Sequence, residues 1–149
     1  MGVGEFLFER PADCQTVYHA PAFTAQRRAR YLHLPGRQVA KAVLLAGPAG
    51  YLVAVLRATD AIDTDRLARA LGGPVRLAGE PEIAAVFPDC EWGVVPSFGS
   101  RYGLPTLLEA AIAPDDWLAL ETGARAVAVR MRCRDFERLE RPQRLPFAR

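Results

Sequence analysis

Apolar residues in this chain fall into short blocks, and the pattern of those blocks predicts more strands than long helices. The clearest block spans residues 36–56. Two apolar runs, 39–46 and 51–56, flank Gly47-Pro48-Ala49-Gly50. Such runs around a Gly/Pro cluster predict a β-hairpin, because glycine supplies the backbone freedom a tight turn needs. On a period of two, Lys41 shares a strand face with Val39, Val43 and Leu45.

Ahead of the hairpin, the weakly periodic residues up to about 15 predict a short helix or arm, and 16–19 a short strand. Thr24 is placed to cap a helix over 25–32. Arg27, Arg28 and Arg30 lie on that helix, where they read as a solvated face or as contacts to a phosphate backbone. Without interleaved aromatic residues for base stacking, the solvated face is favoured. After the hairpin, Asp63 caps a helix over 64–71 that Gly72-Gly73 ends. Residues 75–77 predict a strand, and Pro81 opens a helix over 81–87 that Pro88 stops. Residues 90–103 hold three glycines and a proline, a density that implies special backbone angles or close backbone approach. Strands follow at 106–110, 117–121 and 126–132. Asp135 then caps a closing helix through 139, and Pro142 ends regular structure. No repeat, low-complexity tract or linker interrupts this order, which predicts one mixed α+β domain over residues 1–149 rather than a βαβ array.

Composition narrows the function classes. The 149 residues are 50% hydrophobic and 24% charged with a net charge of +2, an ordinary globular balance. No apolar run approaches the roughly 20 residues that cross a bilayer. The first ten residues lack the basic-then-apolar layout of a secretion signal, so a cytoplasmic location is the expectation. The charge is too small for a dedicated nucleic-acid coat, although an arginine-weighted surface can take a backbone at modest affinity. Cys14, Cys90 and Cys133 are widely spaced and predict neither a disulfide framework nor a metal site, and His19 and His33 have no partners at ligand spacing. Residues 36–41 lack the second glycine and the Ser/Thr of a phosphate loop, and Pro96-Ser97-Phe98-Gly99 lacks the first glycine of a nucleophile elbow. Lys41 is the one lysine in the chain. It reads either as a snorkelling side chain or as a charge set to meet a phosphate or substrate oxygen.

The ordered set of motifs resembles the YbaK/prolyl-tRNA-synthetase-associated family of aminoacyl-tRNA deacylases. The matching pieces are Tyr18-His19-x-Pro21, Phe23-Thr24-Ala25-Gln26, Ala40-Lys41, Val75-Arg76-Leu77-Ala78 and the helix that follows. They continue through Phe87-Pro88-Asp89-Cys90-Glu91-x-Gly93-x-x-Pro96-x-Phe98-Gly99, Gly123 and Asp135-Phe136-x-x-Leu139. Together they cover about residues 14–142.

The resemblance implies a mostly antiparallel curved sheet or partial barrel surrounded by helices. It also implies hydrolysis, without metal or organic cofactor, of the ester that joins a wrong amino acid to the acceptor end of a tRNA. Synthetase pockets separate similar amino acids by only about 1–3 kcal/mol, which is why a second, hydrolytic sieve exists. By the same resemblance Lys41 is the anchoring cation and Gly99 a backbone element of catalysis. His19, Phe23, Thr24, Pro96, Phe98, Thr122 and Gly123 contact the substrate. A tRNA is then the partner, with an aminoacyl-tRNA synthetase as a further one, and neither membrane nor DNA is expected. Glu91 reads as a loop-stabilising carboxylate. Three positions depart from the pattern: Ser97 where relatives often have proline, Glu109 where they have Asp, and Arg125 where they have His. The last raises a second reading, a binding module that kept the pocket and lost hydrolysis. A third is a protein that docks on a synthetase.

Overall fold

The computed structural model describes residues 14–149. The expected N-terminal helix or arm falls largely outside the described residues; Cys14 and Gln15, which that expectation also took in, open the first strand, β1 (Cys14–Tyr18). Helix α1 (Ala25–Leu32) starts where Thr24 Oγ1 accepts the Arg27 N–H at 3.0 Å. After a 3-10 turn at Gly36–Gln38 come β2 (Ala40–Gly47) and β3 (Gly50–Arg57), the predicted hairpin. Helix α2 (Thr64–Leu71) is capped by Asp63, whose carboxylate accepts the Arg66 N–H. Then follow β4 (Arg76–Leu77), α3 (Glu80–Val86), a 3-10 turn at Gly99–Tyr102, β5 (Thr106–Glu109), β6 (Trp117–Glu121) and β7 (Val127–Arg132). Helix α4 (Cys133–Glu140) and β8 (Gln143–Leu145) close the order.

Two expectations need correction here. The N-cap of α4 is Arg132, not Asp135. Asp135 sits in the first turn and faces Arg138 at 3.4 Å, a position that suits an acid through the helix dipole without making it a cap. Pro142 does not end regular structure either, because β8 pairs parallel with β5 directly after it. That strand is too short to leave a periodic signal.

The strands form two sheets. One has the order β1-β7-β6 and is antiparallel throughout; the other is β4-β2-β3-β5-β8, with parallel pairs only at β3-β5 and β5-β8. A parallel bridge between Val39 and Ala119 joins them at one corner, and the sheets do not close into a barrel. The fold is thus the mixed, mostly antiparallel arrangement the resemblance implied.

Alternation along the strands sorts the core into layers. Between the sheets lie Leu44, Val53, Val55, Phe98, Leu108, Leu118, Leu120, Val129, Met131 and Phe136. On the far face of the five-stranded sheet, Leu45, Leu52, Ala54, Leu56 and Leu107 pack against Leu67 of α2 and against Phe147. On the outer face of the three-stranded sheet, Ala29 of α1 meets Ala119 and Ala128, small residues that let helix and sheet approach closely. Glu109 locks the last residues in place, since its buried carboxylate accepts the N–H groups of Phe147 and Ala148, both at 2.8 Å. Among the described residues no helix is long and apolar enough to cross a membrane.

Candidate functional site

The corner where the two sheets meet is not filled by side chains. A cleft of about 170 Å³ opens there, with walls from the start of α1, from Ala42 on β2, from the segment Gly93-Val94-Val95 and from Arg125. At its floor Arg28 and Glu121 form a salt bridge at 2.7 Å, almost wholly removed from water on the arginine side. A second guanidinium nitrogen of Arg28 donates to the Ala40 carbonyl at 2.8 Å.

Sequence reading placed Arg28 on a solvated surface, and the structure overturns this. Arg28 lies on the same helix stripe as Ala25, Ala29 and Leu32, the i, i+3, i+4, i+7 positions that face the sheet. Plotting the helix as a wheel would have found it. Glu121 was missed as well; counting in twos along β6 puts it on the face of Trp117 and Ala119, which α1 covers.

Burial pushes the Glu121 carboxyl up from its ordinary value, and Arg28 opposes that most strongly. One carboxylate oxygen is held by Arg28; the other takes no hydrogen bond from a described residue. Two further polar atoms are enclosed and unpartnered, Arg28 Nε and His19 Nε2. Because His19 Nδ1 is 2.7 Å from the Ala20 carbonyl oxygen it must donate there, which leaves Nε2 as an acceptor in the neutral ring. His19 lies within electrostatic reach of Glu121.

At the mouth, the Arg125 guanidinium stands 4.4 Å from the centre of the Phe23 ring and bonds the Trp92 carbonyl. The Phe23 and Trp92 side chains are 74% and 60% exposed, large apolar groups left facing water. The Glu91 carboxylate accepts the Arg125 N–H, as expected of a loop-stabilising group. The wall is stitched to the end of β6. Glu91 N–H donates to Gly123 O (2.8 Å), Ser97 N–H to Glu121 O (3.0 Å), and Ser97 Oγ accepts the Glu121 N–H (3.1 Å). A proline at position 97 would lack two of these three atoms. The N–H groups of Gly93 and Val95 donate to no described residue.

The residues singled out from sequence distribute unevenly around this cleft. Phe23 and Thr24 line it, and Thr24 also caps α1. Thr122 braces the β6–β7 loop by donating to Val127 O and accepting the Ala124 N–H. Gly123 has a φ of +144°, and a Cβ there would lie 2.9 Å from Cys90 Sγ, so both backbone and space demand glycine. Phe98 is fully buried, edge-on to Phe136, and Pro96 is buried beside it. Gly99 is buried too: its N–H donates to Thr106 Oγ1 at 3.1 Å, and a Cβ would meet that oxygen at 2.7 Å. Its close approach is to the protein's own threonine. Lys41 is half-buried on β2 and makes no ion pair or hydrogen bond with a described residue. Its neighbour Ala42 lines the cleft, and strand alternation turns the two side chains to opposite faces. The three cysteines form no disulfide with one another; burial raises the Cys90 thiol and pushes that of Cys133 up to about 12, away from the reactive range.

Comparison with known proteins gives this corner a context. No curated protein matches the chain in sequence. Among solved structures, one described as a candidate trans-editing enzyme for prolyl-tRNA synthetase superimposes with a TM-score of 0.83 at 22% identity, covering 99% of this chain and 94% of the other. A hypothetical protein gives 0.85 at 15% identity with 99% of both chains covered, and a scaffold carrying a computationally grafted epitope gives 0.81 at 21% identity with 99% and 94% covered. At such identities these likenesses speak for the fold alone. The model of the aminoacyl-tRNA editing domain matches residues 19–139, from the enclosed histidine through the last turn of α4. By that match, the chain belongs to the aminoacyl-tRNA editing domain family.

Proposed function

We propose that this protein is a freestanding deacylase that hydrolyses the ester of mischarged tRNA in the cytoplasm, as a quality-control step of translation. The observation that carries this reading is the polar corner cleft, within the span matched by the editing-domain family, with donors and acceptors that the protein itself does not use. The aminoacyl group enters between Phe23 and the Gly93–Val95 wall. Its α-ammonium meets the open oxygen of Glu121. Its ester carbonyl lies against the Gly93 and Val95 N–H groups, which take the negative charge that forms when water attacks. Collapse of that intermediate breaks the ester C–O bond, and the neighbouring ribose hydroxyl relays the proton of the water to the departing ribose oxygen. Fixed donors around a developing oxyanion, in a site that needs no reorganisation, stabilise it without a covalent enzyme intermediate. Lys41, a cation with no partner among the described residues whose side chain leaves β2 on the face opposite Ala42, is assigned by the family resemblance to hold the terminal phosphate outside the pocket.

The test is deacylation of a panel of mischarged tRNAs by the wild type and Lys41→Ala. Hydrolysis of one or a few substrates, with the variant reduced at least tenfold in kcat/KM, is the expected result. A variant that deacylates normally overturns the role of Lys41, and a wild type inert on every substrate overturns hydrolysis. One observation favours the second reading, a binding module: Arg125 lies across the mouth, stacked on Phe23, where it narrows access. Turnover separates the two.

A further inference from the structure

At the other end of β6, on the same face of the three-stranded sheet as Glu121, stands Trp117. It lines a separate cleft of about 190 Å³ with Arg37, Gln38, Arg57 and two aspartates. The side chains of Arg130 and Arg132, two apart on β7, both lie over its ring, at 4.8 and 4.7 Å from the centroid. Like charges gathered on one ring repel, and the ring's negative face offsets only part of that.

The local acids do not balance these cations. Asp116 is taken by Arg57 at 2.8 Å, and Asp115 by Arg134. Arg132 finds only a carbonyl, that of Asp115 at 3.0 Å. Arg37 makes no hydrogen bond or ion pair with a described residue. Among the described residues Arg130 contacts only the ring as a charged partner, and its Nε is enclosed without a hydrogen bond to any of them. Among the described residues, then, Arg37, Arg130 and Arg132 remain without a carboxylate around one tryptophan.

We infer that this arginine–tryptophan cleft is a docking surface for the phosphate backbone of RNA, contacting the tRNA beyond the acceptor end. The inference rests on the deacylase reading for the identity of the RNA. Charge complementarity argues for a polyanion, and planar guanidinium groups pair with phosphate in a bidentate way. Position agrees in distance: Trp117 and Glu121 stand at the two ends of β6, four strand steps or about 14 Å apart, and because α1 covers the sheet between them an RNA reaches both by passing over that helix. An RNA whose last residue sits in the Glu121 cleft has its preceding phosphates within reach of this end of the sheet.

The experiment uses Arg37→Gln and Arg130→Gln, made singly. Arg37 is exposed in a short turn, so its variant folds even where loss of the half-buried Arg130 disturbs the sheet. Binding of uncharged full-length tRNA is followed by fluorescence anisotropy across a salt series. Deacylation is measured on full-length aminoacyl-tRNA and on the aminoacyl ester of a short CCA-ended oligonucleotide. The expected result is a three- to tenfold rise in Kd and KM on full-length tRNA, roughly, and a salt slope shallower by about one per arginine. Kinetics on the short ester stay unchanged. Unchanged tRNA affinity and slope, or equal losses on long and short substrates, overturn the surface. If the wild type hydrolyses no ester but still binds tRNA through these arginines, the surface stands and the deacylase reading falls.

Discussion

Two glutamates, Glu121 half-buried and Glu140 buried, illustrate how the same residue type can serve a site or a scaffold. Burial raises the carboxyl of each. Around Glu140 every acceptor is used inside the protein. One oxygen takes the Ser100 N–H at 2.9 Å and the Thr106 hydroxyl at 2.6 Å, and the other bonds the Ser100 hydroxyl. Gly99, whose N–H donates to the same threonine, completes the cluster. Glu121 has one filled oxygen, an arginine whose Nε is unpartnered and a half-buried histidine with an idle nitrogen nearby. Burial alone therefore does not separate function from framework; unspent hydrogen-bonding capacity facing a cleft does.

The comparison can be broken most forcefully at Arg28. Arg28→Ala leaves the Glu121 charge uncompensated in a mostly buried place, and a loss of about 3–5 kcal/mol in equilibrium urea unfolding is expected. Deacylation should disappear with it. A near-neutral effect on both would mean that the floor of the cleft is wet and the pair ornamental.

Glu140 sharpens the comparison through pH. Its folded-state pKa is raised, so the native protein binds the proton more tightly than the unfolded chain. Stability from this group is present below the ordinary Glu value of about 4.3 and is lost as pH climbs through the raised one. Glu140→Gln cannot titrate. Its stability relative to the wild type should improve as pH rises from about 4 through the raised value, with urea midpoints at several pH values as the readout and deacylation kinetics largely preserved. A pH-independent difference would show the carboxylate to be paired as well in the folded protein as it is solvated in the unfolded one.

The smallest effect on the fold is expected at Arg125. Its stacking on Phe23 is exposed, worth about 0.5–1 kcal/mol, so Arg125→Ala should leave thermal unfolding almost unchanged. KM for the aminoacyl ester should rise several-fold if the guanidinium helps to hold substrate. A gain of turnover in an otherwise inert protein would instead favour the binding-module reading.

Much of the fold was legible because local signals agree with tertiary need. The hairpin, the Thr24 and Asp63 caps and the alternation of β6 and β7 are written in short windows of sequence. The β8 strand was not, since three residues cannot show a period and its pairing with β5 is set by Glu109 holding the chain that follows. The site was less legible. Phe23 and Thr24 line the cleft as expected, but Phe98, Gly99 and Gly123 turn out to have packing partners of their own. Arg28 and Glu121, 93 positions apart, meet only after a helix has crossed a sheet. A charge on an apolar stripe was the one warning of this, and it is visible only once the helix is seen to be covered on that side.

Ser97 has a consequence for timing. By joining its N–H and hydroxyl to the backbone of Glu121, it fastens the wall of the cleft to its floor, and Glu91 repeats the fastening at Gly123. Wall and floor are then held together by backbone hydrogen bonds, and the group left to move before substrate enters is the Arg125 side chain across the mouth. If the deacylase reading holds, a wall and floor assembled in advance leave no domain closure on the reaction path, and turnover is paced by bond making and by the departure of RNA.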